Sequence, residues 1–429
     1  MKSWKIVIFV WCCLGVIWAA SPYKDLLKLP HTTSADDFSF AGDTVDMAEL
    51  MLIDSLELAE SDTLTEIAAK DSVHSTEPLP QHPSVGLDAF HEALASLCDS
   101  TGRPQRAIRV VHYGDSQIEE DRISMVIRRH LQELYGGGGV GLIPLHQTIP
   151  TRTLSQQLVM NGEVQRTNGG PKRYMIYGPK SMRRDTALYG PMGQVAMMND
   201  SLVPGSEDLI LHLRPTNYGY SVKPYTDIRL LADSGITMHR DSLGLHLRGR
   251  GAVYGLSLET QTGVMVDNIP MRGCLGLVFS EMETAPLRRY FRDTNTRLII
   301  LQYGGNFLPT AKSEDGIRSA VYGLRRQVRL MRELAPEASI LFIGPSDMLQ
   351  NQDGQMHTNP FVPLMDELLA DMARREQIAY FSLYRMMGGE DSMLHWQDIG
   401  WAGSDGVHFT RKGAEHAGEM LWESLAPNP

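Results

Sequence analysis

The run Ala107-Ile108-Arg109-Val110-Val111 is apolar at all but one position, and a bounded run of this kind predicts a short buried strand. It breaks at Gly114. Ile118, Ile123, Val126, Ile127 and Leu131 then recur at three- and four-residue spacing, which predicts a helix beginning directly after the strand. Upstream, Leu87, Phe90, Leu94 and Leu97 form one stripe of a helix opened by Ser84, with Gly102 beyond its end. From Gly263 onward strands and helices alternate. Gly263 to Val266, Arg297 to Gln302, Ser339 to Ile343 and Ile378 to Phe381 read as strands. Residues 314–334, 361–375 and 410–425 read as helices. Such alternation predicts a parallel sheet covered on both faces. Residues 143–258 have another character: helical spacing disappears, and short runs such as Leu209–Leu213, Ile228–Leu231 and Leu243–Leu247 lie between Gly, Pro, Asn and Asp. That pattern predicts a small all-β domain. Because it follows the first strand–helix unit, it reads as an insertion into the α/β domain formed by 85–142 and 259–429.

The remaining chain changes this picture at its N-terminal end. Lys2 and Lys5 precede an uncharged apolar run from Ile6 to Ala20, the layout of an export signal, so 1–20 reads as a signal peptide or, uncleaved, as an N-terminal anchor to a membrane. Trp11 stands where a lipidated Cys12 or Cys13 would need a small residue, which argues against a lipoprotein. Residues 21–84 are acidic, rich in Ser, Thr and Asp, and end in Pro78, Pro80 and Pro83, so they read as a largely disordered linker. The expected location is therefore exported: periplasmic, tethered outside a membrane, or secreted. A net charge of −11 argues against nucleic acid as a partner. Beyond the export signal only Cys98 and Cys274 remain, which read as two separate buried thiols with pairing as the alternative. No Cys or His spacing suggests a metal, and no cofactor is expected. The run Gly136 to Gly141 lacks a following Gly-Lys-Ser/Thr, so it reads as a flexible exit from the helix and not as a phosphate cradle.

Chemistry enters at Ser116, placed where a strand ends and a helix begins. A serine there serves equally as a helix cap or as a nucleophile beside free N–H groups. Near the C-terminus, Asp405-Gly406-Val407-His408 places a base and an acid three residues apart. A serine hydroxyl needs such a base, and the carboxylate can fix the imidazole tautomer. The Ser116 N–H, the Gly273 N–H and the Asn306 amide are suitable donors for an oxyanion. All of these positions follow strands or lie in loops, where sites of parallel α/β sheets form.

This set resembles the SGNH/GDSL hydrolase superfamily. Gly114-Asp115-Ser116 matches its first block, Gly273 its glycine block, Gly305-Asn306 its asparagine block and Asp405 to His408 its last. The chain departs from it at Gln117, where leucine is usual, and at Phe307, where an aspartate often follows the asparagine. The resemblance implies a flavodoxin-like three-layer α/β/α sandwich, with Ser116 as nucleophile, His408 as general base then acid, and Asp405 as the orienting acid. With its β insertion the chain is similar to exported peptidoglycan and polysaccharide O-acetylesterases. The implied partner is an O-acylated polysaccharide, most simply O-acetylated, met by a carbohydrate-binding-like insert. A glycan O-acetyltransferase, a lipase of the same fold, and a glycan-binding protein with a relic site are the alternatives. Gln117, Tyr218, Tyr220, Tyr225 and Trp401 are the candidate substrate contacts, the tyrosines as stacking platforms for sugar rings. His112 and Tyr113 read as packing beneath the nucleophile turn, and Arg122, Arg128 and Arg129 as a solvated helix face.

Overall fold

The computed structural model describes residues 86–427 apart from 148, 167–168, 185–188 and 217–222. The expectations for 1–20, for 21–84, and for Tyr218 and Tyr220 lie outside the described residues. Five strands form the central sheet: β1 (Ala107–Gly114), β2 (Gly263–Pro270), β3 (Thr296–Gln302), β4 (Ser339–Ile343) and β5 (Ala379–Phe381). They lie in the order β2-β1-β3-β4-β5, and every neighbouring pair is parallel. This is the flavodoxin-like order, with its reversal beside β1.

Side chains alternate across such a sheet, so each strand feeds two cores. Ile108, Val110, Val264, Val266, Leu298, Ile300, Leu341 and Ile343 face one way. They form a single cluster with α1 (Asp88–Ala95), α2 (Ser124–Tyr135) and the closing helix, residues 411–425. On the other face α3 (Thr284–Asp293), α4 (Glu314–Leu334) and α5 (Val362–Glu376) pack against one another and the sheet. Three layers result. The closing helix, α6 (Arg411–Leu425), starts at Thr410, whose side chain accepts from the Gly413 N–H as an N-cap.

Between α2 and β2 the chain forms two antiparallel sheets. One runs Glu163–Val164, Leu154–Met160, Asp208–Pro215, Leu245–Gly249, Ile236–Arg240. The other runs Gly141–Ile143, Gly251–Glu259, Gln194–Met198, Lys172–Met175, with Asp227–Ala232 also paired to Gly251–Glu259. Leu158, Leu209, Leu211, Leu247, Leu256 and Leu258 fill the space between them and are fully buried. All described residues fall in one compact unit, residues 76–429.

Three local readings change. First, the glycine run is not a flexible exit. Gly137 has φ +108° and a Cβ there would stand 2.4 Å from the Val264 carbonyl, while a Cβ on Gly139, at φ +82°, would stand 2.1 Å from that of Leu258. The backbone crosses its neighbours too closely for any side chain. Second, the helix does not start at Ser116. Residues Ser116–Asp121 form a kinked 3₁₀ turn with Glu120 at φ 61° and Asp121 at φ 64°, and α2 begins only at Ser124. Third, Arg128 is not solvated. It is 2% exposed, binds Asp121 through both terminal nitrogens (2.5 and 3.2 Å) and donates to the Val266 carbonyl. Arg122 is buried too and donates to the Glu119 carbonyl at 2.9 Å.

Left-handed backbone at non-glycine residues is held only where the surroundings over-determine it. Here they do. Thr153 donates to Asp121 (2.7 Å), Arg152 pairs with Glu120 (2.9 Å), and Arg272 grips Glu119 through Nε (2.8 Å) and Nη2 (2.5 Å). Arg152 and Thr153 belong to the inserted region and Arg272 to the loop after β2, so two distant segments fix the turn that carries Ser116.

Candidate active site

β1 ends at Gly114 and delivers Asp115 and Ser116 to the carboxyl edge of the sheet. Asp115 caps the turn, because its Oδ1 accepts from the Gln117 N–H at 2.9 Å. Ser116 is thus released from capping. Its Oγ lies 2.7 Å from His408 Nε2, and His408 Nδ1 lies 2.7 Å from Asp405 Oδ2. Asp405 Oδ1 accepts from the Val407 and His408 N–H groups, each at 3.0 Å, so one carboxylate orients both the ring and its own loop. Burial opposes ionisation of Asp405, but the bonds from the His408 ring and the two N–H groups outweigh it and hold its pKa at about 2.

The histidine loop is fastened to the serine turn from two sides. Gln117 Nε2 donates to the Val407 carbonyl (2.7 Å) and to Ser346 Oγ (3.3 Å), and the Phe409 N–H approaches Gln117 Oε1 at 3.5 Å. Arg122 Nη1 donates to the Phe409 carbonyl at 3.2 Å. Gln117 is 8% exposed and its amide is used within the protein. The expectation that it touches substrate is corrected: it brackets His408 through the residues on either side.

The remaining donors come from two further strand ends. Gly273 is exposed in the loop after β2, at φ +72° with open space where a Cβ would lie. Asn306 follows β3, and its Nδ2 donates to the Cys274 carbonyl (3.0 Å) and to Asp115 Oδ2 (3.2 Å). Both amide protons are therefore engaged, the second in the longer bond. Burial raises the Asp115 pKa to about 6, opposed by the Gln117 N–H and by His408. A carboxyl whose folded pKa exceeds its unfolded one adds stability at low pH that is lost as pH rises through the folded value. The difference in unfolding free energy between wild type and Asp115→Asn should accordingly shift by about 2.5 kcal/mol in favour of the variant from pH 4 to pH 8. Urea unfolding at the two pH values checks this; a constant difference overturns it.

Trp401 does not wall this site. It packs edge-on against Trp396 with centroids 5.3 Å apart and lies 4.2 Å from the His416 ring on α6, and a Cβ on Gly413 would touch its carbonyl. Its neighbours are those of the closing helix. Tyr225 is also misplaced for substrate contact. It packs against the core of the inserted sheets with Arg240 5.9 Å from its ring. Its neighbour Pro224 reaches Gly138, and the Thr226 N–H donates to the Glu259 carbonyl, just before β2 begins. That is the amino edge of the sheet, about 26 Å of extended strand from Ser116. His112 and Tyr113 pack as read: His112 lies between Gln302 (3.1 Å) and Ser124 (2.9 Å), where burial lowers its pKa to about 4, and Tyr113 donates to the Pro191 carbonyl. Cys98 and Cys274 are separate free thiols, Cys274 buried and Cys98 half-buried. Among the described residues no group of His, Cys, Asp and Glu is arranged to hold a metal.

What sequence reasoning missed is the part of the inserted region that does reach this edge. The Tyr177 ring and Ile176 meet Met271 around Gly193, where a Cβ would lie 3.0 Å from Met271 Cε, 3.2 Å from Ile176 and 3.4 Å from Tyr177. Burial raises the Tyr177 hydroxyl pKa, with Cys274 and Glu119 adding to the rise. Nothing local in the sequence marks Ile176 or Tyr177 as the residues that reach it.

No family model and no curated protein matches the chain. A solved structure of a peptidoglycan O-acetylesterase aligns with 79% of this chain and 95% of its own, at a TM-score of 0.61 and 21% identity. An acetyl xylan esterase structure aligns with 38% of this chain and 82% of its own (TM-score 0.28, 12% identity). A member of the lipolytic G-D-S-L family from Veillonella parvula aligns with 37% and 79% (TM-score 0.26, 16% identity). The β2-β1-β3-β4-β5 sheet and the alignment along nearly the whole of the first of these structures give one answer: the chain has the fold of the SGNH hydrolases, with further antiparallel sheets added to it.

Proposed function

We propose that the protein is an exported serine esterase that removes O-acyl groups, acetyl foremost, from an envelope or extracellular polysaccharide such as peptidoglycan. The observation that carries the proposal is the hydrogen-bonded chain Ser116–His408–Asp405, with both links at 2.7 Å. In this reading His408 Nε2 takes the Ser116 proton as Oγ attacks the ester carbonyl, and Asp405 stabilises the imidazolium that forms. The Ser116 and Gly273 N–H groups receive the oxyanion. Asn306 joins them by exchanging its longer bond to Asp115 for the new charge. His408 then protonates the sugar hydroxyl as it leaves, and water repeats the sequence to release the acid and restore Ser116. A solved structure sharing this fold is a peptidoglycan O-acetylesterase, which supports the choice of an acetylated glycan.

Incubating the soluble 80–429 fragment with O-acetylated glycans and assaying free acetate tests the proposal. Acetate release is expected; acetyl groups passed to another glycan without free acetate would make the protein a transferase. Binding without turnover would leave only a glycan-binding role. Gln117 supplies a second measurement. Leucine in its place leaves the Val407 carbonyl without its donor and His408 less well held, so Gln117→Leu should lower kcat about ten-fold, or about 1.4 kcal/mol, with little change in KM. A raised KM at constant kcat would return Gln117 to the substrate contacts.

A further inference from the structure

The segment from 165 to 184 carries six basic residues and no acidic one, within a chain of net charge −11. It contains the strand Lys172–Met175 and the turn that follows, the part of the inserted region that packs on Met271 two residues before Gly273. Among the described residues Lys172, Arg173, Arg183 and Arg184 form no salt bridge. The charged groups of Lys172 and Arg184 both sit over the Tyr174 ring, at 5.8 and 5.1 Å, and Arg183 Nε donates only to the Gly178 carbonyl. Arg173 is half-buried, and its Nε is buried without a hydrogen-bond partner.

The contrast with the adjoining turn is sharp. There Arg122, Arg128, Arg152 and Arg272 are each spent on Glu119, Glu120 or Asp121. Glu281 faces the same region, and Arg183 lowers its pKa against the rise that burial causes. Asp233 and Glu283 lie with Arg184 about the Tyr254 hydroxyl, and among the described residues none of these three carboxylates forms an ion pair with the four cations. A desolvated cation without a partner is unfavourable, and an anionic ligand relieves it.

Resting on the esterase reading above, we propose that Lys172, Arg173, Arg183 and Arg184 form a cationic rim beside the Gly273 loop that takes carboxylate groups of an acidic glycan, so that the substrate polymer is a polyanion. A rim of one sign beside the reacting serine raises the local concentration of an oppositely charged polymer and is screened by salt. A nucleic acid would meet the same charges but carries no acyl ester for the neighbouring serine to attack; an anionic lipid surface carries both charge and esters, and the comparison with phosphatidylglycerol vesicles separates it from a glycan.

The test compares two acetylated polymers, acetylated polygalacturonate (acidic) and acetylated xylan (neutral), through kcat/KM at low and high salt. For wild type, raising salt from 50 to 500 mM should lower kcat/KM on the acidic polymer about ten-fold and leave the neutral one nearly constant. Lys172→Glu with Arg184→Glu, both exposed side chains, should lower the acidic-to-neutral ratio about ten-fold at low salt; Arg173→Gln provides a second, uncharged variant at the half-buried position. Equal salt dependence on both polymers, or an unchanged ratio in both variants, overturns the rim. Affinity for de-esterified polygalacturonate, measured by calorimetry, separates the two readings. Salt-sensitive binding that the variants lose, without hydrolysis of any ester, would refute the esterase and leave the rim. Absent binding refutes the rim even in an active esterase. Tighter binding of duplex DNA or of phosphatidylglycerol vesicles than of the polygalacturonate would also overturn the assignment.

Discussion

Ser116→Ala should lower kcat on a small chromogenic acetate by about 10⁴–10⁶, or roughly 5–8 kcal/mol of transition-state stabilisation, while the protein melts like wild type. The expectation rests on how the hydroxyl is placed. Asp115, not Ser116, caps the turn, and the kink is held by Glu119, Glu120 and Asp121 through their arginines. The Ser116 hydroxyl bonds His408 Nε2, and deleting it leaves a partly exposed imidazole that water can satisfy. The stability change should stay within about 1 kcal/mol. A serine kept for structure would give the opposite pattern, a lower melting temperature with activity largely retained. A variant holding a tenth of wild-type kcat would remove Ser116 as the nucleophile, since the base, the acid and the oxyanion donors together cannot supply that much without it.

The central sheet was legible because its strands are buried on both faces and so read as unbroken apolar runs; Ser339–Ile343 and the helix Glu314–Leu334 fall where their patterns end. The serine and the Asp405–His408 pair were legible because acyl transfer needs fixed residue types, here one at the end of β1 and two in the loop before α6. The support around them was not. Glu119, Glu120 and Asp121 look like the polar face of a first helical turn, and nothing local reveals that Arg152, 32 residues from Glu120, or Arg272, 153 residues from Glu119, will fold back upon them. Arg128 looked solvated for the same reason. Helix α3 escaped notice because only Leu287, Tyr290 and Phe291 are buried in it, among a proline and three arginines. The hairpin Leu349–Gln352 with Gln355–Thr358 is mostly polar and exposed, so no periodicity marks it. Tyr225 shows the converse error, a chemically attractive residue whose position depends entirely on which edge of the sheet the insertion meets.

The second large effect concerns that insertion. Arg109 on β1 is 2% exposed, and its Nη1 reaches Asp267 of β2 (2.5 Å) and Tyr290 of α3 (3.2 Å). Its Nη2 reaches Ser257 (3.1 Å) and Glu259, both on the inserted strand Gly251–Glu259. Asp267 also accepts from the Leu142 N–H at 2.8 Å, so Arg109 and Asp267 together join the central sheet to both ends of the insertion. Burial alone would lower the Arg109 pKa, yet the charges around it, Asp267 foremost, raise it above its ordinary value. Arg109→Met keeps the bulk and removes the charge, leaving Asp267 fully buried without its cation. Glu259 retains the half-exposed Arg229 at 2.7 Å and the Ser257 hydroxyl at 2.6 Å. Breaking a buried ion pair from one side costs about 3–5 kcal/mol, and the retained arginine places this case near 3. Urea unfolding at pH 7.5 should show that loss. Arg109→Met combined with Asp267→Asn should be less destabilising than the two single losses added, by 1 kcal/mol or more, because residues sharing one network do not contribute independently. A loss below 1 kcal/mol in the single variant would mean that apolar packing, not this cation, holds the insertion to the sheet.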